Sequence, residues 1–231
     1  KVLIALRKAG LRVKPSKCVF CAAEVLFLGH KVSRKGIQPY EELINKITHF
    51  RRPINVKGVR SFIGICSYYR AFIRNFTEMA EPLYDLIKKG KKFTWQDNHQ
   101  KAFESLRGVL KGDSILIHPD YTSKFILVTD TSNIACGAAL GHIIDEKFFP
   151  ISFYSVKLNN AEQRYGITEM EGVGLIRALK HFEQIIMGFP IEIWTDHKPL
   201  LQLFEAAHKS KSQRLARWAL FLSGIDFKIR Y

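Results

Sequence analysis

Two Asp residues follow short apolar strands in the second half of the chain. The apolar run 125–128 ends in Thr129 and Asp130, and the run containing Ile191 and Ile193 ends in Thr195 and Asp196. Neighbouring parallel strands would place the two carboxylates side by side at one edge of a sheet. An acid at a strand end is commonly a cap or a turn residue and less commonly a metal ligand. Because the Thr-Asp ending occurs twice, it is the first indication of function.

A predicted helix over residues 161–184 supplies a third acid. Glu171 lies on the helix face expected to be buried, where a carboxylate needs a partner. Glu169 lies about 160° around the helix from that face, so we expect it to be solvated or to cap the helix. The expected buried stripe consists of Ile167, Leu175, Ala178 and Phe182.

Three converging carboxylates would repel one another unless a cation neutralised them. Their hard oxygens suit Mg²⁺ or Mn²⁺, and two such ions about 4 Å apart are a standard apparatus for in-line cleavage of a phosphodiester. The sequence has neither zinc-site spacing nor a Gly-rich phosphate loop. The spacing of Asp130, Glu171 and Asp196 alone leaves a structural role equally open.

The secondary structure that must position these acids differs between the two halves of the chain. The pattern predicts a helix closed near Gly10, a strand pair or a strand and turn around Gly29, and helices from residue 40 to 110, broken at Arg51-Arg52-Pro53. The second half predicts an α/β layer fold with a mixed sheet. Its strands are expected at 125–130, 134–144, 147–156, 191–195 and 226–231, and its later helices at 198–206 and 211–223.

Composition limits the class of protein. The chain has 231 residues, 47% of them hydrophobic, which is enough for a sizeable core. It contains no apolar run near the roughly 20 residues of a membrane span, and its charged start lacks a signal-peptide cleavage site. Four scattered Cys residues predict reduced thiols in or near the core rather than a disulfide framework. We therefore expect a protein that is neither embedded in a membrane nor secreted.

The positive charge lies almost entirely in the first half. Residues 1–113 contain 23 basic and 9 acidic side chains, a balance of 23 − 9 = +14, whereas residues 114–231 contain 13 and 12, a balance of 13 − 12 = +1. Such a division favours a polyanion, and nucleic acid first of all, as the partner of the first half. A merely well-solvated basic face is the alternative.

The ordered motifs resemble those of a known family. TDTS, ACGAAL, NAEQRYGITEMEGVGLIRALKHF, IEIWTDHKPL and SQRLARWALFLSGIDFKIRY follow one another as in the ribonuclease H domain of reverse transcriptases from gypsy-type LTR retrotransposons. KAGLRVKPSKCVF and EVLFLGHKVSRKGI resemble the end of that family's palm with its primer-grip strands. VRSFIGICSYYRAFIRNFTEMAEPLYDLIKK resembles its thumb. The resemblance covers essentially the whole chain.

The resemblance implies a fold and a domain division. It implies a ribonuclease H-like mixed five-stranded sheet with flanking helices, preceded by a small, mostly helical thumb unit and a palm remnant. Residues 1–36 would be the end of the palm, 37–112 the thumb and connection, and 113–231 the ribonuclease H domain.

The resemblance also implies site residues, cofactors and partners. The family's metal-binding catalytic acids fall on Asp130, Glu171 and Asp196, with two Mg²⁺ (or Mn²⁺) ions as cofactors. The partners would be an RNA–DNA hybrid, a template-primer duplex and the remainder of the polyprotein, with a homo- or heterodimer as one assembly. The location would be the cytoplasm, in a virus-like particle, with a nuclear phase. Nucleic-acid contacts are expected at Lys17, Gly29, His30, Arg51, Arg52, Lys57, Arg60, Arg70, Arg74, Lys198 and Arg214.

Several of these residues have an alternative, structural reading. Lys17 could be a basic loop residue, Phe27 and Leu28 could be plain core, and Arg214 could anchor a helix. The aromatic residues Tyr68 and Tyr69 are expected to pack rather than to stack on bases.

Departures from the family pattern favour a second interpretation. The polymerase motif Y-x-D-D is absent, and the fourth acid of the nuclease is expected beyond Tyr231. Gly172 and Gly174 stand where the family has larger residues, and each glycine in a helix interior costs about 1 kcal/mol of stability relative to Ala. The alternative is a catalytically inactive or repurposed nucleic-acid-binding module.

Overall fold

The computed structural model describes residues 1–111, 115–200, 202–203 and 212–231. The chain begins with a short helix, α1, and a three-stranded antiparallel sheet. The turn around Gly29 joins the first two strands, as the sequence predicted, and Gly29 has a φ of +70°, which favours glycine. The third strand was not predicted. The bounds are Val2–Lys8 for α1, Glu24–Phe27 for β1, His30–Ser33 for β2 and Gly36–Pro39 for β3.

Four helices form the basic unit that follows. The third helix of the chain shows why: its buried residues Val59, Phe62, Ile63 and Cys66 recur at helical spacing, and the Asn55 side chain accepts a 2.8 Å hydrogen bond from Gly58 N. These residues join one apolar core with the other three helices. The bounds are Glu41–Thr48 for α2, Val56–Tyr68 for α3, Phe76–Asp85 for α4 and Asp97–Gly108 for α5.

The second half contains the predicted five-stranded mixed sheet. The strand order is β6-β5-β4-β7-β8, in which the first two pairings are antiparallel and the last two are parallel. The predicted strands are confirmed to within two residues at each end. Their bounds are Phe125–Thr131 for β4, Ala135–Ile144 for β5, Lys147–Lys157 for β6, Ile191–Trp194 for β7 and Phe227–Arg230 for β8.

Two helices of this half contribute to the core of the sheet. Helix α6 spans Ile167–Ile186 and helix α7 spans Gln213–Leu222. Leu175, Ala178 and Phe182 of α6 are buried as predicted. Ile167 is not, since it is 67% exposed at the start of the helix. Of the helix expected at 198–206, Pro199, Leu200, Gln202 and Leu203 are helical, whereas residues 201 and 204–206 lie outside the described residues.

The helical unit packs on the outer strands of the sheet. Contacts run between β6 and both α4 and the short turn Arg70–Phe72, and Lys157 of β6 pairs with Glu81 of α4 at 2.6 Å. A single bridge also joins Ile37 of the small sheet to Leu116. The predicted domain boundary at 112/113 lies outside the described residues. Among the described residues, no helix has the length and apolar character needed to cross a bilayer.

Candidate active site

Asp130 and Asp196 lie at the ends of two neighbouring parallel strands. Strands β4 and β7 pair with Val128 opposite Trp194, and each Asp follows two residues later in its chain. Both carboxylates are exposed and line one open cleft of about 600 Å³. The predicted placement of the two acids at one sheet edge is therefore confirmed.

Glu171 is buried on the helix that packs against β4. It is only 6% exposed, and its Oε2 atom has no hydrogen-bond partner among the described residues. Burial, together with the negative charges of Asp130 and Asp196, raises the pKa of Glu171 to about 7. Thr131 partly offsets this rise in the pKa of Glu171. The Oγ1 atom of Thr131 itself has no hydrogen-bond partner within the described chain. The three acids are thus electrostatically coupled.

The alternation of side chains along β4 explains why Asp130 lines the cleft and Glu171 does not. Successive residues of a strand point to opposite faces, and the Thr131 side chain lies against Gly174 of α6 while Asp130 lines the cleft. Glu171, on the α6 side, is not among the residues that line this cleft. In the part of the chain that the structure describes, no three His, Cys, Asp or Glu side chains converge closely enough to hold a metal ion.

The donor set nevertheless fits a hard divalent cation. All three side chains are carboxylates, and the unpartnered, buried Glu171 oxygen is the kind of group that a cation would satisfy. These positions do not form a closed metal site, because Asp130 and Asp196 line the cleft whereas Glu171 lies on the other side of Thr131. The assignment of these three residues as metal ligands stays a prediction.

The packing of α6 explains why glycine stands at positions 172 and 174. A Cβ on Gly174 would lie 2.1 Å from Thr131 Oγ1, and one on Gly172 would lie 2.7 Å from Trp218 Cζ3. The missing side chains let α6 approach β4 and α7 closely, beside Glu171. They therefore do not indicate decay of the site.

Glu169 differs from its prediction. It is half-buried and accepts a hydrogen bond from Arg214 Nη2, so it neither caps α6 nor stands free in solvent. The Arg214 guanidinium also lies 4.0 Å from the centroid of the Tyr165 ring. These contacts favour the helix-anchoring role of Arg214 over its predicted contact with nucleic acid.

His197 is a residue near the site whose role the sequence did not reveal. Its ring Nε2 lies 2.9 Å from Thr168 Oγ1 of α6, and its backbone N–H donates to Thr195 Oγ1 at 3.1 Å. The residue next to Asp196 is thereby tied to the first turn of α6. The only signal was its place beside the strand-end acid.

The predicted nucleic-acid contacts separate into two groups. Most are exposed cations available to a backbone of phosphates, namely Lys17, Arg51, Arg52, Lys57, Arg60, Arg74 and Lys198. Arg52 also lies over the Trp95 ring at 5.4 Å. Arg70, in contrast, donates a hydrogen bond to the Ser155 carbonyl oxygen and so joins the helical unit to β6. The contact of these residues with nucleic acid stays a prediction.

Gly29 and His30 are joined to the helical unit. The Tyr69 hydroxyl donates to the Gly29 carbonyl oxygen at 2.7 Å, and the His30 ring stacks on Tyr68 with centroids 5.3 Å apart. Tyr69 is fully buried, which agrees with a packing role. The core alternative for Phe27 and Leu28 is wrong, since these side chains are 62% and 71% exposed.

Comparison with known proteins agrees with the fold and the family resemblance that the sequence predicted. Residues 120–225 match the model of an RNase H-like domain found in reverse transcriptase. The whole chain is 34% identical to the transposon Tf2-3 and Tf2-4 polyproteins of Schizosaccharomyces pombe, of which it spans 18% of the length.

Solved structures of foamy viral protease-reverse transcriptase are also similar. The one in complex with an RNA/DNA hybrid superposes with a TM-score of 0.80 at 25% identity, over 99% of this chain and 32% of that one. A complex with double-stranded DNA gives a TM-score of 0.76 at 24% identity, over 100% of this chain and 49% of that one. The predicted fold is confirmed by this likeness. The chain belongs to the reverse transcriptase and ribonuclease H segment of gypsy-type LTR retrotransposon polyproteins, with its RNase H-like domain in the second half.

Proposed function

We propose that the second half of the chain is a metal-dependent ribonuclease H, which hydrolyses the RNA strand of an RNA–DNA hybrid, while the basic first half holds the hybrid or a template-primer duplex. One observation carries this proposal. Asp130 and Asp196 line one cleft from neighbouring parallel strands, and burial together with their negative charges raises the pKa of Glu171 behind them. The foamy viral relative whose structure contains an RNA/DNA hybrid supports the choice of substrate.

The residues of the chain would divide the chemistry as follows. Asp130, Asp196 and Glu171 would hold the metal, and Glu171 loses its proton on doing so because a cation favours the carboxylate form. When bound, two Mg²⁺ or Mn²⁺ ions supply an activated water and stabilise the leaving oxygen. Exposed cations of the first half, such as Lys57 and Arg60, would bind phosphates without reading bases, as a sliding duplex requires.

The proposal also concerns polymerisation, the fourth carboxylate, the location and the assembly of the protein. The chain contains no Y-x-D-D motif, so polymerisation would depend on the remainder of the polyprotein. The fourth carboxylate of the nuclease would come from sequence after Tyr231. Activity in the cytoplasm within a virus-like particle, with a nuclear phase, would suit such an element, as would a homo- or heterodimer.

A second candidate function is a non-catalytic nucleic-acid-binding module. The absence of a closed three-acid cluster in the described part of the chain favours it. The charge division favours nucleic-acid binding under either function, so only an assay of chemistry separates the two.

The test is cleavage of a hybrid labelled separately on each strand, by a polypeptide that carries this chain together with the sequence after Tyr231. The proposal expects Mg²⁺-dependent cuts in the RNA strand alone, and none in duplex DNA. Binding of the hybrid without cleavage at any Mg²⁺ or Mn²⁺ concentration would instead establish the non-catalytic module.

A further inference from the structure

The cleft that contains Asp130 and Asp196 is built by both halves of the chain. Its other lining residues include Arg74, which belongs to the helical unit, and Arg230 of β8. Arg230 forms an ion pair with Glu192, with Nε 2.8 Å from Oε1, so its charge is already paired. Arg74 is exposed and makes no ion pair or hydrogen bond within the described residues. Of these two arginines, Arg74 therefore has its charge available to a ligand.

The position of Arg74 is fixed by its neighbour. Asn75 has a φ of +53°, in the left-handed region that a single Asn tolerates, and it directly precedes α4. Its side chain lies against Gly137 so closely that a Cβ there would come within 2.4 Å of Asn75 Oδ1. Gly137 is the cross-strand partner of Asp130. Arg74 is thus held one residue away from a contact made directly beside the acid.

Further contacts hold the helical unit along the same row of the sheet. Gly137 pairs on its other side with Ser155 of β6. The Ser155 side chain accepts a 3.0 Å hydrogen bond from Thr77 N, and its carbonyl oxygen accepts one from Arg70. The helical unit is therefore anchored over a transverse row, Ser155, Gly137 and Asp130, that leads to the carboxylate cleft.

We infer that Arg74 is a substrate-positioning residue of the nuclease cleft, which fixes a backbone phosphate of the hybrid in the reactive geometry next to Asp130 and Asp196. The inference rests on the proposed function. The acids alone would repel a polyanion, and a guanidinium offers a fork of donors that matches phosphate geometry. The helical unit would then serve cleavage directly as well as binding, because it supplies a group to the site.

The experiment compares Arg74→Ala with the parent polypeptide, extended past Tyr231, at limiting and at saturating concentrations of hybrid. If Arg74 positions the phosphate, kcat falls by about 10- to 100-fold even at saturation. Arg74→Lys keeps the charge without the fork and should recover part of the loss. Arg164→Ala is the matched control, since Arg164 is exposed, lies in the nearly neutral half and does not line the cleft.

Two results would overturn the inference. If Arg74→Ala raised KM only and reached the parental kcat at saturation, Arg74 would be one more cation of the basic surface. If Arg164→Ala lowered kcat as much as Arg74→Ala, the effect would be one of net charge. Absence of cleavage by the parent itself would overturn the proposed function and this inference with it.

A second variant probes the position rather than the charge. In Gly137→Ala the new Cβ must displace the side chain of Asn75, the residue next to Arg74, without removing a cation. We expect a lower kcat and little change in the affinity for hybrid. A parental kcat in folded Gly137→Ala, measured beside a normal circular dichroism spectrum, would contradict the proposed positioning.

Discussion

At the scale of single residues, Glu171 is the most constrained of the three acids. It is buried with an unpartnered oxygen, and its pKa is raised to about 7 from an ordinary value of 4.5. The folded chain therefore holds this proton more tightly than the unfolded chain does. The free energy of unfolding from this group must fall as pH rises through the window between 4.5 and about 7, and it stays lower at higher pH.

Glu171→Gln should reverse this loss of stability. In metal-free buffer we expect the variant to be more stable than the parent by roughly 1–3 kcal/mol above neutral pH, and equally stable at acidic pH. Urea denaturation at the two pH values measures the difference. An equal free energy of unfolding of variant and parent above neutral pH would show that the carboxylate is not desolvated.

Millimolar Mg²⁺ provides the companion measurement. It should raise the melting temperature of the parent near neutral pH, because a bound cation stabilises the charged carboxylates, and should raise that of Glu171→Gln much less. An equal response of the two proteins would argue against Glu171 as a ligand.

At the scale of helices and strands, periodicity predicted the elements well and their partners poorly. The five strands and the long helix follow from alternating and helical spacing, and the same spacing placed Glu171 on the buried face. Spacing could not show that Ile167 is exposed, or that Arg214 from another helix pairs with Glu169. Nor could it place Arg74 at the cleft, because that position depends on how α4 docks on β5 and β6.

The close approach of α6 to β4 gives a prediction at this scale. Gly174→Ala should destabilise the chain by about 1–3 kcal/mol, since the new methyl group meets Thr131 Oγ1 and Cys136 Cβ at 2.1 and 3.1 Å. The rise in helix propensity, worth about 1 kcal/mol, does not offset this overpacking. Denaturant melts of both proteins measure the change.

Gly64→Ala is the matched control. Gly64 lies in the middle of α3, and a Cβ there would meet nothing within 4 Å. This variant should gain up to about 1 kcal/mol from helix propensity. If both glycine variants were stabilised alike, the tight contact between α6 and β4 would be wrong.

At the scale of the whole molecule, charge and chemistry are divided between two packed units. The first half carries +14 of the net +15, whereas the three acids lie in the second half. The units share the carboxylate cleft and the row of contacts on β6 and β5. A duplex bound along the basic unit could therefore reach the acids without a rearrangement of the fold.

Binding should show the salt dependence of a phosphate-dominated contact. Replacing the exposed Lys57 and Arg60 together by Ala should weaken binding of all hybrid sequences alike and reduce the slope of log affinity against log salt by about 2. Replacing Lys147 and Lys228, exposed in the other half, should leave the slope nearly unchanged. A sequence-selective loss, or equal effects of the two pairs, would contradict a basic binding face in the first half.

The central claim is that carboxylates at the ends of β4 and β7 carry out hybrid cleavage. Its most direct test is the specific cleavage activity of folded Asp130→Asn, in a polypeptide extended past Tyr231, measured beside its affinity for hybrid. Asn keeps the size of the side chain and removes one negative ligand, so activity should fall by orders of magnitude while folding and affinity persist. Parental activity per folded molecule in Asp130→Asn would contradict the claim and leave the carboxylate a structural role.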